Sequence, residues 1–207
     1  MIKEIFRGKT FPLARPRLYA VVGVALLGLW SPAPATAVRP VRSVDPLVRL
    51  LTERLLLADR VAAAKFGTGA PIEDQVRERR ILDDVAARSP ALGLDPAHTV
   101  AVFRDQIEAG KSVQRDLFAR WDTYPGQRPA ERPSERPDLA REVRPALDRL
   151  TTDVLRALAD TRATRNTPSC RPRVTRAATT TAYRYGLDAP HTRGLTYALR
   201  SLCTRQG

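Results

Sequence analysis

An all-α fold follows from three features of this 207-residue chain. Ala, Leu and Arg dominate while aromatics are only 6% of residues, a balance that favours helices over a β-sandwich. Apolar residues return at helical spacing through long stretches, and no segment alternates with the period of two that a half-buried strand shows. Two Asp-Pro pairs, Asp45-Pro46 and Asp95-Pro96, each supply a capping side chain and a first-turn proline just ahead of such a stretch. The expected architecture is a single-domain bundle of about six helices.

Residues 1–37 stand apart from that bundle. Lys3, Arg7, Lys9, Arg15 and Arg17 form a positive leader, Tyr19 to Trp30 is a short apolar run, and Ala35-Thr36-Ala37 offers small residues for cleavage. That pattern predicts a signal peptide on an exported domain of residues 38–207, with a retained membrane anchor as the competing reading. An apolar run of 12 residues is short for a bilayer span, which takes about 20.

The first helix is read over Asp45 to Phe66, with Asp45 as N-cap. Leu47, Leu50, Leu51, Leu57, Ala58, Val61 and Ala62 share one broad face. Arg54 and Lys65 sit in that face too. Eleven residues apart, they fall within roughly 20° of each other and about 16 Å apart along the axis. A buried cation needs an anion or a route to water. Internal carboxylates, snorkelling stems and an anionic ligand are all open at this point.

Gly67 to Pro71 is a turn, wrongly spaced for a phosphate loop. Helix two spans about Ile72 to Arg88, with Glu73 and Asp74 at its positive end, and Ser89-Pro90 stops it. Helix three runs from Asp95-Pro96 to about Trp121. Gly110 lies inside it at a helix-propensity cost of about 1 kcal/mol, which calls for close packing or a ligand near the backbone. Residues 123–137, rich in Pro and Arg, read as an extended, solvated loop. Helix four covers Asp138 to about Thr161, provided Pro145 sits at a late start or a kink. Helices five and six fall near Arg171–Tyr185, closed by Gly186, and Pro190–Cys203.

Charge and cysteines narrow the chemistry. Without residues 1–37 the chain has 30 basic and 21 acidic residues, a formal +9. All but Lys65 and Lys111 of those cations outside the histidines are arginines, spread along the chain with no interleaved aromatics for base stacking. Nucleic acid is therefore not an expected partner. His98 and His191 stand alone and no metal-ligand cluster is present, so zinc is not expected. Export favours a disulfide between Cys170 and Cys203, whose 33-residue separation corresponds to about 3–4 kcal/mol in the loop-entropy picture.

The stretches ERLLLADRVAAAKF (53–66), PIEDQVRE (71–78), VFRDQIEAGKSVQRDLFARW (102–121) and PDLAREVRPALDRL (137–150) resemble the exported, all-helical chorismate mutases, the gamma subclass of the AroQ type. The resemblance extends to both cysteines and covers essentially the whole exported chain. It implies rearrangement of chorismate to prephenate without metal, nucleophile or cofactor, and a homodimer without a stable membrane anchor. It also implies roles: Arg54, Arg77 and Arg144 on the carboxylates, Lys65 and Gln114 on the ether oxygen, Glu78 and Asp74 on the ring hydroxyl or on Arg77.

The chain also departs from that pattern. Gly110 stands where the family carries Ser or Thr against a carboxylate, and Gln114 where some exported members have Glu. Ile81 replaces a polar group, and Arg80 and Lys111 have no assigned role. A neutral amide at Gln114 donates without needing a proton, so a flat activity profile from about pH 5 to 8 is expected. A catalytically silent exported protein that binds an anionic ligand is the alternative from another class, and Gly110 is the residue that favours it.

Overall fold

A computed structural model describes residues 42–204, and the signal-peptide assignment for residues 1–37 lies outside the described residues. Among the described residues there are seven α-helices and no strand: α1 (Asp45–Lys65), α2 (Gln75–Arg88), α3 (Pro96–Thr123), α4 (Arg144–Asp160), α5 (Arg162–Arg165), α6 (Cys170–Tyr185) and α7 (Ala189–Ala198). The one-turn α5 is the helix beyond the expected six. None of these helices is long and apolar enough to cross a membrane.

Helix α1 is the axis of the bundle. It packs against α3, α4, α6 and α7, and its Leu47, Val48, Leu51, Leu55 and Ala62 are all but fully buried. From α3, Val102, Phe103, Ala109 and Val113 face them, and α4 adds Val154, Leu155 and Leu158. At the far end of α1, Phe66 makes edge-to-face contacts with Phe118 and Trp121 at centroid distances of 5.2 and 5.1 Å. Helix α7 comes close to the α1–α3 layer at Gly194. A Cβ there would stand 2.9 Å from Val113 Cγ2 and 3.3 Å from a Leu55 methyl.

Helix starts follow capping chemistry. The Asp95 side chain accepts from Ala97 N–H and His98 N–H, and Asp138 and Asp188 cap the segments that follow them in the same way. Three boundaries differ from expectation. Asp45 is the first residue of α1, Val44 is its cap position, and the Asp45 N–H donates instead to Ser43 Oγ. Helix α2 begins at Gln75 rather than Ile72, because Asp74 caps it by accepting from Arg77 N–H at 3.1 Å. Helix α7 ends at Ala198, and Cys203 lies beyond it in a turn where Ser201 N–H donates to Asp105.

Pro145 is accommodated by a π turn. Residues Leu139–Val143 close with the Arg144 N–H on Leu139 O, and the α-helical pattern begins only at Arg144. The wider turn moves the carbonyls clear of the proline ring, which in a regular helix would clash with the carbonyl four residues back. The loop before it is solvated as expected, yet fastened: Arg128 Nε donates to Trp121 O, and Arg136 donates to Ala130 O and Phe66 O. Cys170 and Cys203 form the expected disulfide, with Cα atoms 5.9 Å apart.

Candidate active site

Four segments converge on one cleft. Helix α1 supplies Arg54 and Lys65, the cap and first turn of α2 supply Asp74, Arg77 and Glu78, the middle of α3 supplies Gly110, Lys111 and Gln114, and the π turn leads into Arg144, the first residue of α4. Every site residue expected from the sequence is among its lining, and Ile81 is as well, whereas Arg80 is not. The cavity holds about 130 Å³, against roughly 10–15 Å³ for one water, so a small organic molecule fits. Leu57, Val61, Ile107, Val143 and Leu147 make its walls largely apolar, which strengthens any charge interaction inside.

Neither cation on the α1 face forms an ion pair among the described residues. Arg54 is only 7% exposed, has no ion-pair partner among the described residues, and leaves its buried Nε without a hydrogen bond. Its guanidinium stands over the Phe103 ring at 5.7 Å. Burial first, and then the nearby Arg77, pull its pKa down to about 10. Lys65 donates to two backbone carbonyls, Pro71 O at 2.8 Å and Ile72 O at 2.9 Å. Burial lowers its pKa, and Asp74, Glu73 and Glu78 act against that shift. The interloop carbonyls aim the ammonium, but they carry no full negative charge.

The other polar groups are held in place. Arg77 reaches Asp148 of α4 at 3.3 Å, a pairing across 71 residues that no sequence signal marks. Glu78 accepts from Asp74 N–H, completing a reciprocal cap at the start of α2. Gln114 Nε2 donates to Gly110 O at 3.1 Å, and its buried Oε1 has no partner. A Cβ on Gly110 would meet nothing within 4 Å. Close packing therefore does not explain this glycine, and the space above it belongs to the cleft.

Two features escaped the sequence reading. Lys111 bridges Glu78 of α2 and Glu108 of its own helix, at 3.1 and 2.6 Å. The Lys–Glu108 spacing of three is visible in sequence, but the cross-helix contact is not. Gln106 also lines the cleft, its Nε2 on Ala198 O at 3.5 Å and its buried Oε1 unpaired. Among the described residues no cluster of three His, Cys, Asp or Glu could hold a metal.

The cleft thus concentrates cations around a largely apolar volume of small-molecule size. Comparison with known proteins fits that geometry. Residues 45–115, which carry most of the lining, match the family described as chorismate mutase type II. A secreted chorismate mutase of Mycolicibacterium smegmatis is 35% identical over 187 residues, spanning 90% of this chain and 99% of the relative. The chain belongs to the chorismate mutase family. A secreted chorismate mutase of Mycobacterium tuberculosis is 32% identical and covers 92% of this chain and 96% of its own length. The crystal structure of a chorismate mutase from Burkholderia thailandensis superposes with a TM-score of 0.71 at 38% identity, over 77% of this chain and 98% of that one. The π turn presents Arg144 to the same cleft as the helices that precede it.

Proposed function

We propose that the cleft converts chorismate to prephenate by clamping the dianion in a compact conformer and stabilising charge on its ether oxygen. In this rearrangement the C–O bond breaks as a C–C bond forms within one molecule, with no net gain or loss of protons or electrons. No nucleophile is needed, so the protein contributes positioning and preorganised electrostatics. Arg54, Arg77 and Arg144 hold the two carboxylates, for which planar guanidinium forks are suited. Lys65 and Gln114 donate to the ether oxygen, and Glu78, steadied by Asp74, accepts from the ring hydroxyl. The observation that carries this reading is Arg54: a buried guanidinium with an unpaired Nε and no ion-pair partner among the described residues, facing the cavity.

The experiment is chorismate turnover by purified, oxidised 38–207 protein beside Arg54→Met and Lys65→Met. Loss of one such charged donor in a water-excluded site costs about 10²–10³ in rate. Variants that stay within threefold of the parent kcat/KM would remove Arg54 and Lys65 from the mechanism. Activity should be flat from about pH 5 to 8, because Gln114 has no proton to lose. It should then fall as the pH rises toward the lowered pKa of Lys65, since only the protonated ammonium donates. A fall already complete by pH 7 would count against the amide role.

Export with cleavage after Ala37 and assembly as a homodimer belong to the same proposal. The names of the mycobacterial relatives support export. N-terminal sequencing of the exported protein and sedimentation analysis test the two points.

A further inference from the structure

Lys111 has no part in the roles above, yet it lines the cleft with only 11% of its side chain exposed. Burying an ammonium that deeply needs compensation. Its Nζ donates to Glu78 Oε2 at 3.1 Å and approaches Glu108 Oε1 at 2.6 Å. Burial alone would lower its pKa, and the two carboxylates outweigh burial, so the net direction is up. Lys111 is held as a cation.

The contact matters because of what it does to Glu78. The carboxylate of Glu78 is gripped from two sides: Oε1 accepts from Asp74 N–H at 3.2 Å and Oε2 from Lys111. Around it stand Arg54 and Lys65 from α1, Asp74 and Arg77 from α2, Glu108 and Lys111 from α3, and Arg144, with Asp148 drawn off by Arg77. A carboxylate has about four lone-pair sites, so two remain for a donor in the cleft. An i,i+3 pair such as Lys111–Glu108 alone would be an ordinary helix-surface interaction of about 0–1 kcal/mol. The cross-helix bond to Glu78, made by a nearly buried lysine, is a different matter: it fixes the rotamer of a group that faces the substrate volume.

We propose that Lys111 is a positioning residue, holding the Glu78 carboxylate turned so that its free lone pairs meet the substrate's ring hydroxyl. This rests on the assignment of Glu78 to that hydroxyl. Such an effect shows mainly in KM and in coupling to Glu78, not in an independent loss of rate.

The test is a double-mutant cycle on the 38–207 protein with chorismate as substrate, using Lys111→Met, Glu78→Gln and the pair together. The expected result is about a tenfold loss of kcat/KM in Lys111→Met, carried chiefly by KM, with the double variant no worse than Glu78→Gln alone. Lys111→Arg should recover activity to within about threefold, and Glu108→Gln, which lies outside the cleft lining, should stay within about twofold of the parent. Losses that multiply in the double variant, an arginine variant as poor as the methionine one, or a Glu108→Gln loss equal to that of Lys111→Met would each overturn the proposal. Glu78→Gln with full activity would instead overturn the role of Glu78. Thermal melts accompany the kinetics. If Lys111→Met does not fold, Lys111→Gln, which keeps a polar end, takes its place in the cycle.

Discussion

Two arginines in this protein are buried almost equally, and they are treated in opposite ways. Arg165 is 2% exposed and Arg54 is 7%, and burial pulls both down to about 10. Arg165 makes four hydrogen bonds with its guanidinium: Nε on Thr161 Oγ1, Nη1 on Leu202 O and His98 Nε2, and Nη2 on Leu158 O. It thereby ties the end of α4 to the segment carrying Cys203. Arg54 has no such set: it has the face of Phe103, the repulsion of Arg77 and the weaker attraction of Asp148, which is itself paired with Arg77. A satisfied buried cation is part of the fold. An unsatisfied one at the wall of a cavity lowers stability and is explained by what enters the cavity.

The largest effect expected from this contrast is a separation of activity from stability. Arg54→Met should lose about 10²–10³ in kcat/KM while unfolding free energy stays level or rises by about 1 kcal/mol or more, because an uncompensated charge leaves the interior. Arg165→Met should do the reverse. It takes the guanidinium donors away from the carbonyls of Leu158 and Leu202 and should cost about 2–4 kcal/mol in urea unfolding, with kcat near that of the parent while folded. Equal destabilisation by both substitutions would break the comparison.

A smaller effect concerns His191, which joins α7 to α1. Its Nε2 meets Asp59 at 2.7 Å and its Nδ1 meets Asp188 at 2.5 Å. The bond to Asp59, helped by Asp188 and opposed by burial, raises its pKa from 6.5 to about 9. Its contribution to stability is therefore complete below pH 6.5 and lost as pH rises toward 9. Burial acts to raise Asp188, but Arg120 and His191 hold it at about 2, so its share is present above pH 3.8 and lost below. His191→Gln should cost about 2 kcal/mol at pH 6, after allowance for the half-exposed aspartates, and almost nothing at pH 9.5. Urea titrations at the two pH values check this, and an equal cost at both would refute it.

The smallest expected effect lies at Gly110. Gly110→Ala should stabilise α3 by about 1 kcal/mol, since a Cβ meets nothing within 4 Å. The same change at Gly194 should destabilise, because Val113 already stands 2.9 Å from the new atom. Thermal melts of the two variants should move in opposite directions.

The sequence by itself determined what short range controls. Helical periodicity, Asp caps and proline placement act within about four residues, so the all-α class, the start of α3 and the shared face of Arg54 and Lys65 were legible. So were the eight candidate site residues, through the family resemblance, and all eight line one cleft. Tertiary structure alone decided what those residues touch. Arg77 meets Asp148, Lys65 meets the carbonyls before α2, and Lys111 meets Glu78, partners fixed by how helices pack and not by spacing along the chain. The π turn at Leu139–Val143 belongs there too, because proline forbids a regular turn without saying which irregular one replaces it. Above all, the sequence shows two cations on an apolar stripe but not whether a carboxylate reaches them. Packing leaves Arg54 without an ion-pair partner among the described residues and sets it on the wall of the cleft.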